Sequence, residues 1–134
     1  MSKINYMYCI SIDNMTYGKI SKLGYLPVGL GDSKFSDEWI TDKNGENISN
    51  KNKFYGEYTF HYWFWKNQLM KKKNQDCTGF CAYRRFWLKK NSKPYEINNL
   101  KNDILNEVPN EWEKYETIIG NKFEFEDPFK ISEH

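Results

Sequence analysis

The feature that most constrains the fold is a short apolar segment that contains two adjacent arginines. Residues 78–87 read TGFCAYRRFW, contain no proline, and are typical of a strand buried in a sheet. Continued as a regular strand, the segment would place Arg84 and Arg85 on opposite faces, and burying two unpartnered guanidinium groups is costly. We therefore predict a central strand that ends near Tyr83, with both arginines at the carboxyl-end rim of the sheet.

Arg84 and Arg85 are the only arginines among the twenty Lys and Arg residues of the chain. A guanidinium group binds a carboxylate or a phosphate through two parallel hydrogen bonds and is more weakly hydrated than an ammonium group. Arginine therefore suits a partly buried anion site, and the placement indicates a pair positioned to bind an anion. Ion pairs inside the fold are the alternative, because structural ion pairs also use arginine.

Composition narrows the class of protein. The chain has 134 residues, enough for one hydrophobic core, so we predict a single domain over residues 1–134. Aromatic residues make up 18% of the chain, which argues against the disorder that a mean hydropathy of -0.88 would suggest. The net charge is +2 with both signs interspersed, so we expect no nucleic-acid partner.

Several kinds of site and location are disfavoured by the residue types. The two histidines, His61 and His134, are too few for a typical histidine metal site and argue against a Ser-His-Asp triad. The three cysteines match no zinc-binding spacing. Residues 1–8 lack a long apolar leader and no stretch is apolar enough to span a bilayer, so we expect a cytoplasmic chain with free thiols.

Other segments predict the elements around the arginine-bearing strand. Residues 5–12 predict a buried first strand, and residues 25–31 predict a short extended piece followed by a turn. Residues 94–108 have apolar side chains at helical spacing and predict an amphipathic helix, after which residues 115–120 predict a second buried strand. An acidic cluster at residues 124–127 has no histidine nearby, so we do not predict a metal site there.

Residues 54–70 are apolar almost all round a helix and include many aromatic side chains. We predict a helix buried on most of its surface, with Gly56 in its interior at a cost of roughly 1 kcal/mol relative to alanine. Glu57 and His61 would be i,i+4 neighbours on this helix. Two roles stay open for Glu57: a partner in an ion pair or hydrogen bond within the core, or a base or hydroxyl acceptor facing a ligand cleft.

Four motifs together resemble those of one family. They are YLPVGLG, DKNGENISNKN, FYGEYTFHYWFWKN and GFCAYRRFW. The series resembles a bacterial family of capsule and surface-polysaccharide glycosyltransferases catalogued as domain of unknown function 4422. The positions that match its pattern are Asp42, Gly45, Asn47, Ile48, Ser49, Lys51, Asn52, Tyr55, Glu57, Trp63, Trp65, Lys66, Asn67, Cys81, Tyr83, Arg84 and Arg85. Ala82 departs from the pattern, which usually has His or Gln there.

The resemblance implies an α/β fold: a GT-A-like, Rossmann-like nucleotide-sugar transferase sheet with flanking helices. It implies a role in capsular or surface polysaccharide biosynthesis in the cytoplasm, including peripherally at the inner membrane face, with a nucleotide-sugar donor and a glycan acceptor as partners. The chain resembles only the N-terminal half of such a domain. We therefore expect an incomplete GT-A sheet and a second chain as a candidate partner that completes it.

The mechanism that fits this resemblance gives each polar group a role. Arg84 and Arg85 would hold the diphosphate of the donor and stabilise charge on the departing nucleoside diphosphate, with Glu57 as the third catalytic candidate. The substrate-binding candidates offer hydrogen bonds or stacking surfaces: Asp42, Asn47, Ser49, Lys51, Asn52, Tyr55 and Tyr83.

Cofactor use and catalysis stay open in the sequence. No Asp-x-Asp motif is visible, so we predict no metal ligand, while dependence on a divalent metal remains an alternative. A non-catalytic module that binds a carbohydrate or a nucleotide would use the same aromatic and amide groups without turnover. An inactive fragment of a transferase, or a scaffold protein with structural arginines, are the further alternatives.

Overall fold

The computed structural model of the chain describes residues 6–73, 76–92 and 100–121. The strands are β1 (Tyr6–Ser11), β2 (Leu26–Gly29), β3 (Ile40–Thr41) and β4 (Thr78–Ala82). The α-helices are α1 (Tyr17–Lys22), α2 (Asn52–Tyr55), α3 (Tyr58–Asn67) and α4 (Leu100–Asp103). Short 3-10 turns lie at Asn14–Thr16, Ser49–Lys51, Leu69–Lys71 and Asn110–Trp112.

The four strands form one parallel sheet in the order β3-β2-β1-β4. In this register, Cys9 of β1 lies between Pro27 of β2 and Cys81 of β4. Along the chain, β2 pairs with one side of β1 and β3 with the outer side of β2. β4 then pairs with the other side of β1. The strand order therefore reverses between β1 and β4, an arrangement compatible with a Rossmann-like fold. The α/β class expected from the sequence is confirmed.

β1 is buried on both faces, which confirms the predicted first strand. Met7 and Cys9 pack in one apolar cluster with Ile20 of α1, while Tyr8 and Ile10 pack in a second cluster with α3. The first cluster also buries Leu23, Tyr25, Trp39 and Ile104, and the second also buries Val28, Leu30, Phe60, Trp63 and Phe64. Because successive side chains of a strand point to opposite faces, this alternation requires helices on both sides of the sheet.

The second and fourth strands lie where the sequence places them, with one correction. The extended piece predicted at residues 25–31 is β2, and β4 ends at Ala82, so Arg84 and Arg85 follow the strand as predicted. The Arg85 amide donates to the carbonyl of Ala82 at 2.8 Å and closes the turn. The central position predicted for this strand is wrong: among the described strands, β4 lies at the edge and pairs with β1 alone.

The single buried helix predicted over residues 54–70 is wrong. α2 ends at Tyr55, Gly56 has a φ of 53° and a ψ of -131°, and α3 begins at Tyr58. The side chains that α3 buries are Thr59, Phe60, Trp63 and Phe64, while Phe54, Tyr55, Tyr58, Trp65, Leu69 and Met70 are exposed. The helical pattern failed because aromatic residues occupy both the packed face and the solvent face of this segment.

The elements predicted after β4 also require correction. Residues 93–99 and 122–134, which include the start of the predicted helix and the acidic cluster, lie outside the described residues. The described part of that helix ends at Asp103, and Ile104 instead forms an isolated bridge with Leu88. Residues 115–120 form no strand and are largely exposed. The pairing of Ile104 with Leu88 brings together residues far apart in the chain, which a local apolar pattern does not reveal.

We expect Gly56→Ala to lower the free energy of unfolding by about 1 to 3 kcal/mol, because a residue with a side chain is strained at this φ and ψ. A Cβ at Gly56 would meet no atom within 4 Å, so the loss would come from the backbone alone. Gly18→Ala in α1 is the matched control, since its surroundings are equally open and its φ is not positive. Alanine at position 18 should be neutral or stabilising by up to about 1 kcal/mol. Urea unfolding measures both, and equal losses would contradict the backbone explanation.

Candidate functional site

Two cavities open where the carboxyl ends of β1 and β4 meet, one on each face of the sheet. We call them the α1-side cavity and the α3-side cavity, after the helix that packs on the same face of the sheet. In open α/β sheets, ligands bind outside the carboxyl ends of the strands, at the point where the strand order reverses. Both cavities lie at that point.

The α1-side cavity has a volume of about 570 Å³, within the range of small-molecule sites. Four of its lining side chains are cations, namely Lys19, Lys22, Arg84 and Lys101, and one is a carboxylate, Asp13. Apolar walls come from Ile20, Leu23, Phe86 and Leu100. A cleft lined by one sign of charge with apolar walls concentrates counter-ions. This cavity is therefore suited to an anionic ligand that also has an apolar or aromatic part.

The loop after β1 shapes the rim of the α1-side cavity through its own hydrogen bonds. The hydroxyl of Thr16 donates to the Ser11 hydroxyl oxygen at 2.8 Å, and the Asp13 amide donates to the same Ser11 oxygen at 3.0 Å. The Asp13 carboxylate accepts the amide of Met15 at 2.9 Å. Asp13 thus caps the turn that leads into α1, which orients Lys19 and Lys22 toward the cavity wall.

Arg84 and Arg85 differ in position although they are adjacent. Arg84 lines the α1-side cavity, and its guanidinium carbon lies 4.9 Å from the centroid of the Tyr83 ring. Arg85 is exposed and lines neither cavity. Within the described ranges neither arginine forms an ion pair with Glu57. An ion pair between Glu57 and either arginine, which is the structural alternative, is therefore absent from the described residues.

The α3-side cavity is smaller, about 210 Å³, and brings three of the predicted site residues together. Asn52, Glu57 and Tyr83 all line it, and Tyr83 lines the α1-side cavity as well. The Asn52 amide is fixed because its Nδ2 donates to the Gly56 carbonyl at 2.9 Å and to the Thr59 hydroxyl at 3.0 Å. Glu57 is exposed at the rim of the cavity, so it is not an ion-pair partner within the core.

His61 lies one helical turn after Glu57 and packs edge-on against Phe80, with ring centroids 4.9 Å apart. Burial lowers the pKa of His61 below its usual value, because desolvation disfavours the charged imidazolium, and the nearby Glu57 carboxylate opposes the shift. The neutral form of His61 is therefore favoured in the folded chain.

In the loop after β3, the side chains predicted to bind a substrate form hydrogen bonds mainly within the loop itself. Asn47 donates to the carbonyl oxygens of Lys43 and Gly45, and its Oδ1 accepts the amide and the hydroxyl of Ser49. Asp42 is 1% exposed, and its Oδ2 has no hydrogen-bond partner among the described residues. The predicted binding residues that line neither cavity are Asp42, Asn47, Ser49, Lys51 and Tyr55.

Lys19, Lys22 and Lys101 are the charged wall residues that the sequence did not single out. Lysine is the default cation of this chain, so its positions carried no signal. Only the packing of α1 against the segment after β4 brings these three ammonium groups beside Arg84. A partial signal was available, since Lys19 and Lys22 lie in the first helix after β1, and Asp13 follows the end of that strand.

The described residues contain neither a cluster of metal-ligating side chains nor a membrane-spanning helix. Within residues 6–73, 76–92 and 100–121, no three His, Cys, Asp or Glu side chains lie close enough together to hold a metal ion. Cys9 and Cys81 form no disulfide, and a hydrogen bond with Cys9 together with burial raises the pKa of the Cys81 thiol. None of the helices in this part of the chain has the length and apolar character needed to cross a membrane.

Comparison with known proteins gives one match. A family model described as a domain of unknown function, DUF4422, matches residues 10–132. No curated protein and no solved structure matches the chain.

We expect the stability of the chain to fall as the pH drops below about 6.5, the ordinary pKa of histidine, because the unfolded chain then takes up a proton that folded His61 binds less readily. The contribution is fully present above that pH and is lost in acid. Thermal melts of the unmodified chain and of His61→Gln between neutral and mildly acidic pH measure it. The variant should lose less stability over this interval, whereas parallel curves would show that His61 is not the group responsible.

Proposed function

This chain belongs to the DUF4422 family, and from the two cavities at the edge of its sheet we propose that it binds a nucleotide-diphosphate sugar and transfers the sugar during capsular or surface polysaccharide biosynthesis. The proposal rests on one observation: a cationic cavity lies beside a carboxylate-bearing cavity at the point where the strand order reverses. The proposed function also includes a GT-A-like architecture for the complete sheet.

The α1-side cavity would take the nucleoside diphosphate. Arg84 would bind the diphosphate through two parallel hydrogen bonds, and Lys19, Lys22 and Lys101 would add positive charge around it. Two phosphates carry several negative charges in a small volume, which matches a wall of four cations and one carboxylate. Arg85 lies outside this wall and would act as a second cation nearby. The apolar walls would contact the nucleoside.

The α3-side cavity would take the acceptor hydroxyl. Because Tyr83 lines both cavities, a donor held by Arg84 could place its sugar against the Tyr83 ring, with the anomeric carbon facing the second cavity. Asn52 uses its Nδ2 for two protein acceptors, which leaves its Oδ1 for a ligand hydroxyl. Glu57 would accept the proton of the attacking hydroxyl.

In the proposed transfer, Arg84 and Glu57 account for the charge and the proton that the reaction releases. The acceptor oxygen forms a bond to the anomeric carbon while the bond from that carbon to the donor phosphate oxygen breaks. The bonding electrons leave with the nucleoside diphosphate, whose added negative charge Arg84 would stabilise, and the hydroxyl proton moves to Glu57. No step in this scheme passes through a metal ion.

Isothermal titration calorimetry with UDP, GDP and their sugar conjugates tests the donor site. We expect saturable binding that weakens as salt is added, because the proposed contacts are largely electrostatic. The matched uncharged nucleosides should bind more weakly, since they lack the diphosphate. Absence of heat with every nucleotide at about millimolar concentration, where a binding free energy of about -4 kcal/mol would be detected, would contradict the proposal. Binding without transfer to a glycan acceptor would favour the non-catalytic module.

Arg84→Lys should weaken diphosphate binding about tenfold to hundredfold, because the charge remains but the paired hydrogen bonds are lost. Arg85→Lys is the matched control, since it makes the same change one residue outside the cavity wall, and it should weaken binding at most a few-fold. Both arginines are exposed, so the melting temperature should not change in either variant. Lower melting temperatures with unchanged affinity would assign the arginines a structural role instead.

A further inference from the structure

Three apolar side chains project from the end of α3 that lies away from the two cavities. Trp65 occupies the last turns of α3, and Leu69 and Met70 follow in the adjoining 3-10 turn. All three are exposed, and Met70 is 92% exposed. A methionine exposed to this degree protrudes from the surface rather than lining a groove. We call Trp65, Leu69 and Met70, together with Lys71 and Lys73, the basic tip.

Lysines surround these apolar side chains. Lys71 ends the 3-10 turn and Lys73 follows two residues later, and both are exposed. Lys66 lies four residues before Met70. The Lys66 ammonium nitrogen lies 4.0 Å from the Trp65 ring centroid and 3.5 Å from the Glu46 carboxylate, so Glu46 offsets its charge. The backbone amide of Lys73 donates to the Asp76 carboxylate at 3.0 Å, and among the described residues this carboxylate forms no ion pair with the Lys73 ammonium group. Lys71 and Lys73 are therefore the cations that the tip presents to solvent.

Lys72 holds the basic tip in place. Its ammonium nitrogen lies 3.4 Å from the centroid of the Tyr6 ring and donates to the Tyr8 hydroxyl at 3.1 Å. These contacts turn Lys72 inward onto the amino end of β1, so its neighbours Lys71 and Lys73 point away from the sheet. Lys72 therefore attaches to β1 the segment that carries the protruding apolar side chains and the two exposed lysines.

We propose that the basic tip binds the surface of an anionic phospholipid bilayer. Tryptophan favours the interface between lipid headgroups and acyl chains, exposed Leu and Met side chains can insert there, and lysines are attracted to anionic headgroups. Charge complementarity favours anionic over neutral lipid. The lipids supply negative charge, and the tip supplies Lys71 and Lys73.

This contact would leave the candidate site open. Glu57, just before α3, lines the α3-side cavity at the carboxyl edge of the sheet, whereas Lys72, after α3, contacts Tyr6 at the amino end of β1. The helix therefore runs from the site to the tip, along the height of the sheet. A bilayer at the tip would cover neither cavity. The proposal does not depend on the proposed transferase function, because no residue of the tip lines the α1-side cavity or the α3-side cavity.

Vesicle co-sedimentation tests the proposal with the full chain. We expect it to bind vesicles of phosphatidylcholine mixed with phosphatidylglycerol, to bind phosphatidylcholine vesicles far more weakly, and to be released by salt. Removing charge with Lys71→Gln and Lys73→Gln should weaken binding about fivefold per lysine. The apolar change Leu69→Ser with Met70→Ser should weaken it more than about tenfold.

Matched controls use equally exposed residues elsewhere on the chain. Ile119→Ser replaces an apolar side chain that is 84% exposed, and Lys34→Gln with Lys114→Gln removes two exposed charges. These controls should bind vesicles like the unmodified chain, and unchanged thermal melts would show that every variant is folded. Failure of the unmodified chain to bind anionic vesicles, or equal binding by the tip variants, would overturn the proposal. Self-association in sedimentation velocity that is lost in Met70→Ser would instead make the tip an interface with a second copy.

Discussion

Burial of β1 on both faces is the constraint on which the rest of the structure depends. Met7 and Cys9 need cover on one face, and Tyr8 and Ile10 need it on the other, so the chain must place a helix on each side. The run of buried side chains ends at Ser11, and the four residues that follow are exposed. Polar groups therefore collect at the carboxyl edge, where Ser11 organises the loop and Asp13 caps the turn into α1.

The sequence predicts the sheet better than the helices for a physical reason. A strand buried on two faces is a short run of apolar residues, which is visible without knowledge of its partners, and β1 is predicted in this way. The end of β4 is predicted instead from the cost of burying Arg84 and Arg85. In α3, aromatic residues also cover the solvent face, so apolar content does not identify the packed side. The break at Gly56 depends on a backbone conformation that the residue type permits but does not require.

The same reasoning separates the site residues that could be predicted from those that could not. Arg84 lies two residues after the end of β4 and Glu57 directly precedes α3, so both lie near the carboxyl edge once the topology is known. The lysines of the α1-side cavity depend on how α1 packs against residues far along the chain. The polar loop residues were ambiguous from the start, because an amide such as that of Asn47 can serve its own loop or a ligand.

The two cavities differ in how firmly the fold holds them, and this difference bears on the proposed transfer reaction. The Tyr83 amide donates to the Ile10 carbonyl at 3.0 Å, which extends the β1–β4 ladder by one residue and fixes the start of the turn that carries Arg84. Glu57 instead follows Gly56, in the break between α2 and α3, and its position depends on that backbone conformation and on the Asn52 amide. The geometry between an anion bound by Arg84 and a proton acceptor at Glu57 is therefore set by the break at Gly56 more than by the sheet. A transferase built on this edge would tune its chemistry through that break while its anion site stays fixed.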